Sequence, residues 1–178
     1  ELRNTPDTLF TNQSRVESDY LTISESSHLR ITNDAVLKLN GLEGLTLEGS
    51  LTFDSGLIEM NDSYFVGTFA QNGSFTWTGG TLANATHFQD CPPIIQQGGT
   101  FHVGAIGAPG DVAMKVDYEL RSGATLAIEL AGALPWESDQ FVLYGAGATL
   151  AGNLDLSVLD EYLPAYGLAH EVFQMGEF

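Results

Sequence analysis

Several things are scarce in this chain of 178 residues, and each scarcity removes a class of protein. Cys91 is the single cysteine, so no disulfide forms within the chain. No run of 18 or more apolar residues occurs, which removes a bilayer-spanning helix. Lysine and arginine together number 6 against 23 aspartates and glutamates, a net charge of −17. A surface of that sign repels phosphate, so nucleic acid and anionic lipid are excluded as partners. Helix signals are also nearly missing, and only 6 prolines punctuate the chain. The start at Glu1, with no basic-then-apolar leader, reads as a processed or trimmed product.

What the chain does contain is a short alternating pattern. Leu21-Thr22-Ile23, Leu29-Arg30-Ile31, Leu37-Lys38-Leu39 and Leu45-Thr46-Leu47 begin 8 residues apart each time. Apolar residues flanking one polar residue mark a strand with a single buried face. Ser24–Ser27, Thr32–Asp34, Asn40-Gly41 and Glu43-Gly44 supply turn residues between them.

A longer period lies over the short one. Gly49-Ser50-Leu51-Thr52-Phe53 returns as Gly73-Ser74-Phe75-Thr76-Trp77, an offset of 24. Gly123-Ala124-Thr125-Leu126-Ala127 returns, identical, at Gly147–Ala151 with the same offset. Three strands of about 8 residues fill a 24-residue period, which is one coil of a parallel β-helix. The expected fold is therefore all-β: one β-solenoid domain over 1–178, with coils over 21–174 and residues 1–20 as an N-terminal arm or cap. General crossover chirality makes it right-handed. The expected inner ladder is Leu29, Leu51, Phe75, Phe101, Leu126 and Leu150, with Leu126 beneath Leu150. Thr52 and Thr76 belong to an outer row. The competing fold, a β-sandwich, needs no fixed coil period.

Residues 97–174 carry a more specific pattern. It comprises Gly98-Gly99-Thr100-Phe101 through Gly110-Asp111, Asp117-Tyr118-Glu119-Leu120, the segment Ser122–Gly132, Asp139-Gln140-Phe141-Val142-Leu143, and Gly147–Gly167 with Leu163-Pro164. This resembles the C-terminal coils of secreted bacterial β-helix proteins, both autotransporter-passenger-like repeats and those sorted by a PEP-CTERM signal. The resemblance implies export to the cell surface and brings no catalytic residues with it. No Pro-Glu-Pro motif or hydrophobic tail follows within the sequence, so such an anchor is absent or lies outside this chain.

Site chemistry is sparse. Arg30 and Lys38 fall at outward strand positions, but no Asp-x-Asp strand accompanies them, and acids such as Glu137-Ser138-Asp139 fall in turns where solvent would surround them. The expectation is no enzyme and no cofactor. Calcium has one weak echo of a β-roll loop in Gly107-Ala108-Pro109-Gly110-Asp111. His28, His87, His102 and His170 lack metal-ligand spacing, and Cys91 beside Pro92-Pro93 reads as structural. Asn12, Asn61, Asn72 and Asn84 begin Asn-x-Ser/Thr sequons and are candidate glycosylation sites.

The functional expectation is a non-enzymatic, extracellular structural or surface β-solenoid that associates with itself as a filament, surface layer or adhesin component. Self-association would run through coil ends or the N-terminal arm at Leu2–Phe10, with aromatic Ser63–Ala70 as a second cap or augmenting strand. The alternatives are a polysaccharide-binding module using Trp77, Trp136, Tyr144 and Tyr162, and a relative of β-helix polysaccharide lyases or hydrolases. Trp77 shares ladder parity with Phe53, which points it inward.

Overall fold

The computed structural model describes residues 7–11, 13–67 and 73–176, without the side chains of 43 and 62–67. It is an all-β, parallel solenoid of about 6 turns roughly 24 residues apart. Seven layers follow in chain order. The first holds β1 (Thr8–Phe10) and β2 (Arg15–Ile23), and the second β3 (His28–Ile31) and β4 (Val36–Leu47). The third holds β5 (Ser50–Phe53) and β6 (Leu57–Gly67), and the fourth β7 (Ser74–Trp77) and β8 (Thr81–Gln89). From the fifth layer the long strand divides in two: β9 (Ile94–Gln96), β10 (Gly99–His102) and β11 (Asp111–Met114). Next come β12 (Tyr118–Leu120), β13 (Ala124–Leu130) and β14 (Gln140–Tyr144), then β15 (Ala148–Leu150), β16 (Asn153–Val158) and β17 (Phe173–Gly176).

Each coil therefore presents three faces. The first is the sheet β1-β3-β5-β7-β9-β12-β15. Long strands β2, β4, β6 and β8 run from the second face onto the third through register irregularities. The start of β8 pairs with β10 and its end pairs with β11, which separates the two faces completely.

Pairing fixes which residues stack. On the first face Phe10, Ile31, Phe53, Trp77, Gln96, Leu120 and Leu150 form one inward ladder. The second face stacks Val16, Leu37, Ile58, Leu82, Phe101, Leu126 and Leu154. On the third, Leu21, Leu45, Phe65, Phe88, Met114, Leu143 and Met175 align. The triplets 8 residues apart thus occupy successive faces, with the fourth returning in register above the first, Leu45 over Leu21, and Thr52 does lie under Thr76.

The longer ladder read from sequence needs correcting. Leu29, Leu51 and Phe75 stack as expected. Phe101 and Leu126 lie on the second face, whereas Leu150 returns to the first, above Leu120. The two identical pentapeptides therefore occupy different faces of successive coils and do not touch as a ladder. All three faces use the same apolar-x-apolar pattern, and loops of unequal length between them let an offset of 24 arise across faces. The boundary at residue 21 also moves: β1 and β2 already pair with the second layer, so Thr8–Phe10 and residues 15–20 belong to the first coil. Of the proposed arm, residues 2–6 lie outside the described residues. So do residues 68–70 of the aromatic segment, whose 63–67 portion continues β6 on the third face.

The corner between the first two faces is a glycine column. Gly56, Gly80 and Gly99 have φ of +97°, +76° and +73°, a conformation that suits a residue with no Cβ. A Cβ on Gly99 would lie 2.2 Å from the Gly80 carbonyl oxygen, so there is neither torsional nor spatial room for one.

Inside, Phe101 is the hub of an aromatic cluster. Its ring centroid lies 5.6 to 6.2 Å from those of Phe88, Trp77, Tyr118 and Phe141. The one amide in the first-face ladder, Gln96, is fully buried and fully used. It accepts from the Tyr118 hydroxyl at 2.5 Å and donates to the carbonyls of Gly99 and Thr125 at 2.9 and 3.0 Å. Burial holds that Tyr118 hydroxyl far above its ordinary pKa, so it stays a donor. Phe101→Ala should remove about 3–5 kcal/mol of unfolding free energy in a denaturant titration. Gln96→Leu should cost about 1–3 kcal/mol, since three buried polar groups then lose their partner.

Candidate functional site

The outward cations are absorbed by the next coil. Arg30 Nε donates to Asp54 Oδ2 at 2.7 Å, and Thr78 Oγ1 donates to Asp54 Oδ1 at 2.6 Å. The Thr78 hydrogen bond and the Arg30 guanidinium together hold the Asp54 carboxyl below its usual range. Lys38 pairs with Glu59, the residue in register above it. Lys115 donates to Gln89 Oε1 at 3.2 Å, and Arg121, just past β12, donates to Glu119 Oε1 two residues back at 2.8 Å. These are stacking contacts on strand surfaces and assemble no paired acid and base around a cleft.

The sequon asparagines divide. Asn12 and Asn72 lie outside the described residues. Asn61 and Asn84 occupy the corner between the second and third faces with φ of 36° and 58°, left-handed geometry that asparagine tolerates better than most residues. The Asn61 amide donates to Asn40 Oδ1, whose own amide reaches Glu17 Oε1 at 3.0 Å. Asparagine here builds a corner ladder.

Among the candidate aromatics, Trp77 is fully buried and leaves the list of glycan platforms. Trp136 is exposed on a 3-10 turn at Pro135–Glu137, and Tyr162 packs edge-on against His170. Tyr144 joins a concavity. It lines a shallow groove of about 670 Å³ on the third face, with His87, Asp111, Gln140 and Gln174. Gln174 Nε2 donates to Gln140 Oε1 at 3.0 Å across that groove, which fixes the two amides.

A buried polar cluster stands at the groove's edge, and sequence reading missed it. Asp139 was expected in solvent with Glu137 and Ser138, yet it is fully buried, and Glu129 and His102 are nearly so. Asp139 Oδ1 accepts the Gly110 N–H and Oδ2 accepts the Glu129 N–H, both at 2.7 Å. The Asp139 N–H answers to the Glu129 carbonyl at 2.9 Å. Glu129 takes the Gly107 N–H at 2.9 and 3.1 Å, and its Oε1 lies 3.4 Å from His102 Nε2. Burial, with the negative charges of Glu129 and Asp111 behind it, pushes the Asp139 carboxyl up to about 7 against its two amide donors.

The Gly107–Asp111 segment thus aims N–H groups at carboxylates, the reverse of a cation loop that offers oxygens. Among the described residues no group of three or more His, Cys, Asp or Glu is arranged to hold a metal ion. The only sequence signal for the cluster was the spacing of two acids around a predicted turn, and that pattern is shared by solvated acids.

The last layer differs from all others. Leu120, Leu126, Ile128 and Leu130 are at most 8% exposed, while Leu150, Leu154, Leu156 and Val158, in register above them, are 47 to 54% exposed. Met175, above Leu143, is 72% exposed. Strands β15, β16 and β17 each have a neighbour on one side only. Hydrogen-bonding edge and apolar rows are open together.

Gly104 is part of the cluster by necessity: its φ is +74° and a Cβ would lie 2.8 Å from Asp139 Oδ1. Gly104→Ala should lower the thermal midpoint measurably by circular dichroism, whereas Gly107→Ala, with open space at its Cβ position, should cost only the strain of its left-handed φ and lower it less.

Comparison of the chain with protein-family models, with curated proteins and with solved structures finds no match.

Proposed function

We propose that this chain is a non-enzymatic, extracellular structural β-solenoid that associates end to end with further copies of itself. The observation that carries the reading is the open last layer. Each of its exposed leucines would gain roughly 1 kcal/mol on being covered, about half the value of complete burial. An unpaired parallel edge adds a template for backbone hydrogen bonds.

A second copy fits as the occupant because its first layer presents the same three faces in the same strand direction. Head-to-tail stacking continues every ladder: Leu150 meets Phe10, Leu154 meets Val16 and Met175 meets Leu21. Edge strands β1 and β2 carry the complementary unpaired side. A net charge of −17 on each copy opposes the contact, so the association should strengthen as salt screens it. Export is supported by the likeness of residues 97–174 to secreted β-helix coils. Among the described residues no helix is long and apolar enough to cross a membrane.

The groove beside Tyr144 favours a second reading, recognition of neutral oligosaccharide by one aromatic face and a pair of fixed amides. Glycan binding that Tyr144→Ala abolishes would support it, and a glycan array without hits would remove it.

For the principal reading, light scattering across a concentration series at two salt levels should show mass rising with both variables. The double variant Leu154→Glu, Leu156→Glu should remain monomeric while keeping its thermal midpoint, because both side chains are already half in water. A strictly monomeric wild type at millimolar concentration and high salt would sink the proposal.

A further inference from the structure

We propose that Asp139, Glu129 and His102 form a pH-responsive latch, which clamps two stacked loops in mild acid and releases them as the pH rises. The two loops are residues 103–110, between β10 and β11, and residues 131–139, between β13 and β14. Both leave the solenoid at the corner between its second and third faces, in consecutive layers. The tips of both loops face solvent, with Ile106, Leu134 and Trp136 exposed, while Val103 at the root of the lower loop is buried in the core. Besides the Gln140 N–H, which donates to the Gly110 carbonyl at 2.9 Å, what joins them is the pair of carboxylates. Gly110 and Gly107 of the lower loop donate to Asp139 and Glu129 respectively, and the Asp139 backbone closes the upper loop on Glu129.

The electrostatics of that joint are one-sided. From β13 Asp139 faces Glu129, and from the start of β11 it faces Asp111, both negative. From β10 His102 reaches only Glu129, and its other ring nitrogen, Nδ1, is buried without a hydrogen-bond partner. Glu137, on the upper loop itself, is turned to the Leu134 N–H at 2.9 Å. Thus, among the described residues, no lysine or arginine pairs with Asp139 to offset the charge that it acquires on ionising. Between the ordinary aspartate value of 3.8 and about 7, the folded chain keeps a proton that the unfolded chain has released. Asp139 therefore stabilises the fold fully below that window and progressively less as the pH climbs through it. Because Gly110, Asp111 and Gln140 also line the third-face groove, the latch sets how firmly one wall of that groove is held.

Carbon-detected NMR on the full chain tests this directly. The Asp139 carboxyl should titrate near neutrality, and the Gly107 and Gly110 amide resonances should move with the same midpoint. Hydrogen-exchange protection of those two amides, corrected for the intrinsic rate, should fall by up to about tenfold for each pH unit on the approach to that midpoint from below and level off above it. Amides of β5 and β7, far from the latch, should hold their protection. Glu129→Gln retains an acceptor for Gly107 and removes one negative neighbour, so it should move the midpoint to lower pH. Asp139→Asn should erase the midpoint. Should that variant fail to fold, the wild-type and Glu129→Gln titrations still decide the matter. An Asp139 carboxyl that titrates below pH 5, or loop protection that does not change between pH 5.5 and 8.5, overturns the proposal.

Discussion

Everything in this molecule depends on register between parallel strands of successive coils. A coil has no core of its own, and its apolar side chains are removed from water only when the coils above and below align with it. The same alignment pairs the backbone. One constraint therefore governs both terms, and it acts only between nearest neighbours. The consequence is visible in the contrast between Leu126, enclosed, and Leu154, the next rung, half exposed. Chemistry at the surface obeys the same rule: Arg30 finds Asp54 and Lys38 finds Glu59 because each pair is one coil apart.

This dependence explains what could be read from sequence. Strand patterning survives in isolation, since Leu21-Thr22-Ile23 reads as a half-buried strand wherever it sits. The coil period was legible where loops are uniform, as from Leu29 through Phe75. It failed beyond, because the fourth coil shortens, from Trp77 to Gln96, and the sixth lengthens, from Leu120 to Leu150, so that a fixed offset connects different faces. The repeated pentapeptide was a correct sign of strand and an incorrect sign of partner. Identity between two segments reports a shared environment, and each face of a solenoid offers nearly the same one.

The polar interior was the least legible part. Gln96 occupies a rung that alternation assigns to an apolar residue, and its suitability depends on Gly99 of its own coil and Tyr118 and Thr125 of the next converging on it. Asp139 was placed in water because acids in turns are ordinarily solvated. Its burial follows from a second loop folding over it, and a contact between segments about 30 residues apart leaves no mark on local pattern. Such groups are costly to desolvate. Their presence at one corner of two adjacent layers separates that corner from the rest of an otherwise hydrocarbon-filled rod.

The corner between the second and third faces has one more implication. It is closed by asparagines in the lower layers and by whole loops in the upper ones, yet the strands on either side keep their partners throughout. Extra length at this hinge of the coil changes the cross-section and leaves the stacking undisturbed, since lengthening a loop costs little entropy. A single residue inserted within a strand would instead turn every later side chain of that strand inside out. The fold thus separates its sequence into a frame that cannot be edited by insertion and one seam that can. New peptide could be grafted along that seam, coil by coil, into a column on the outside of the rod.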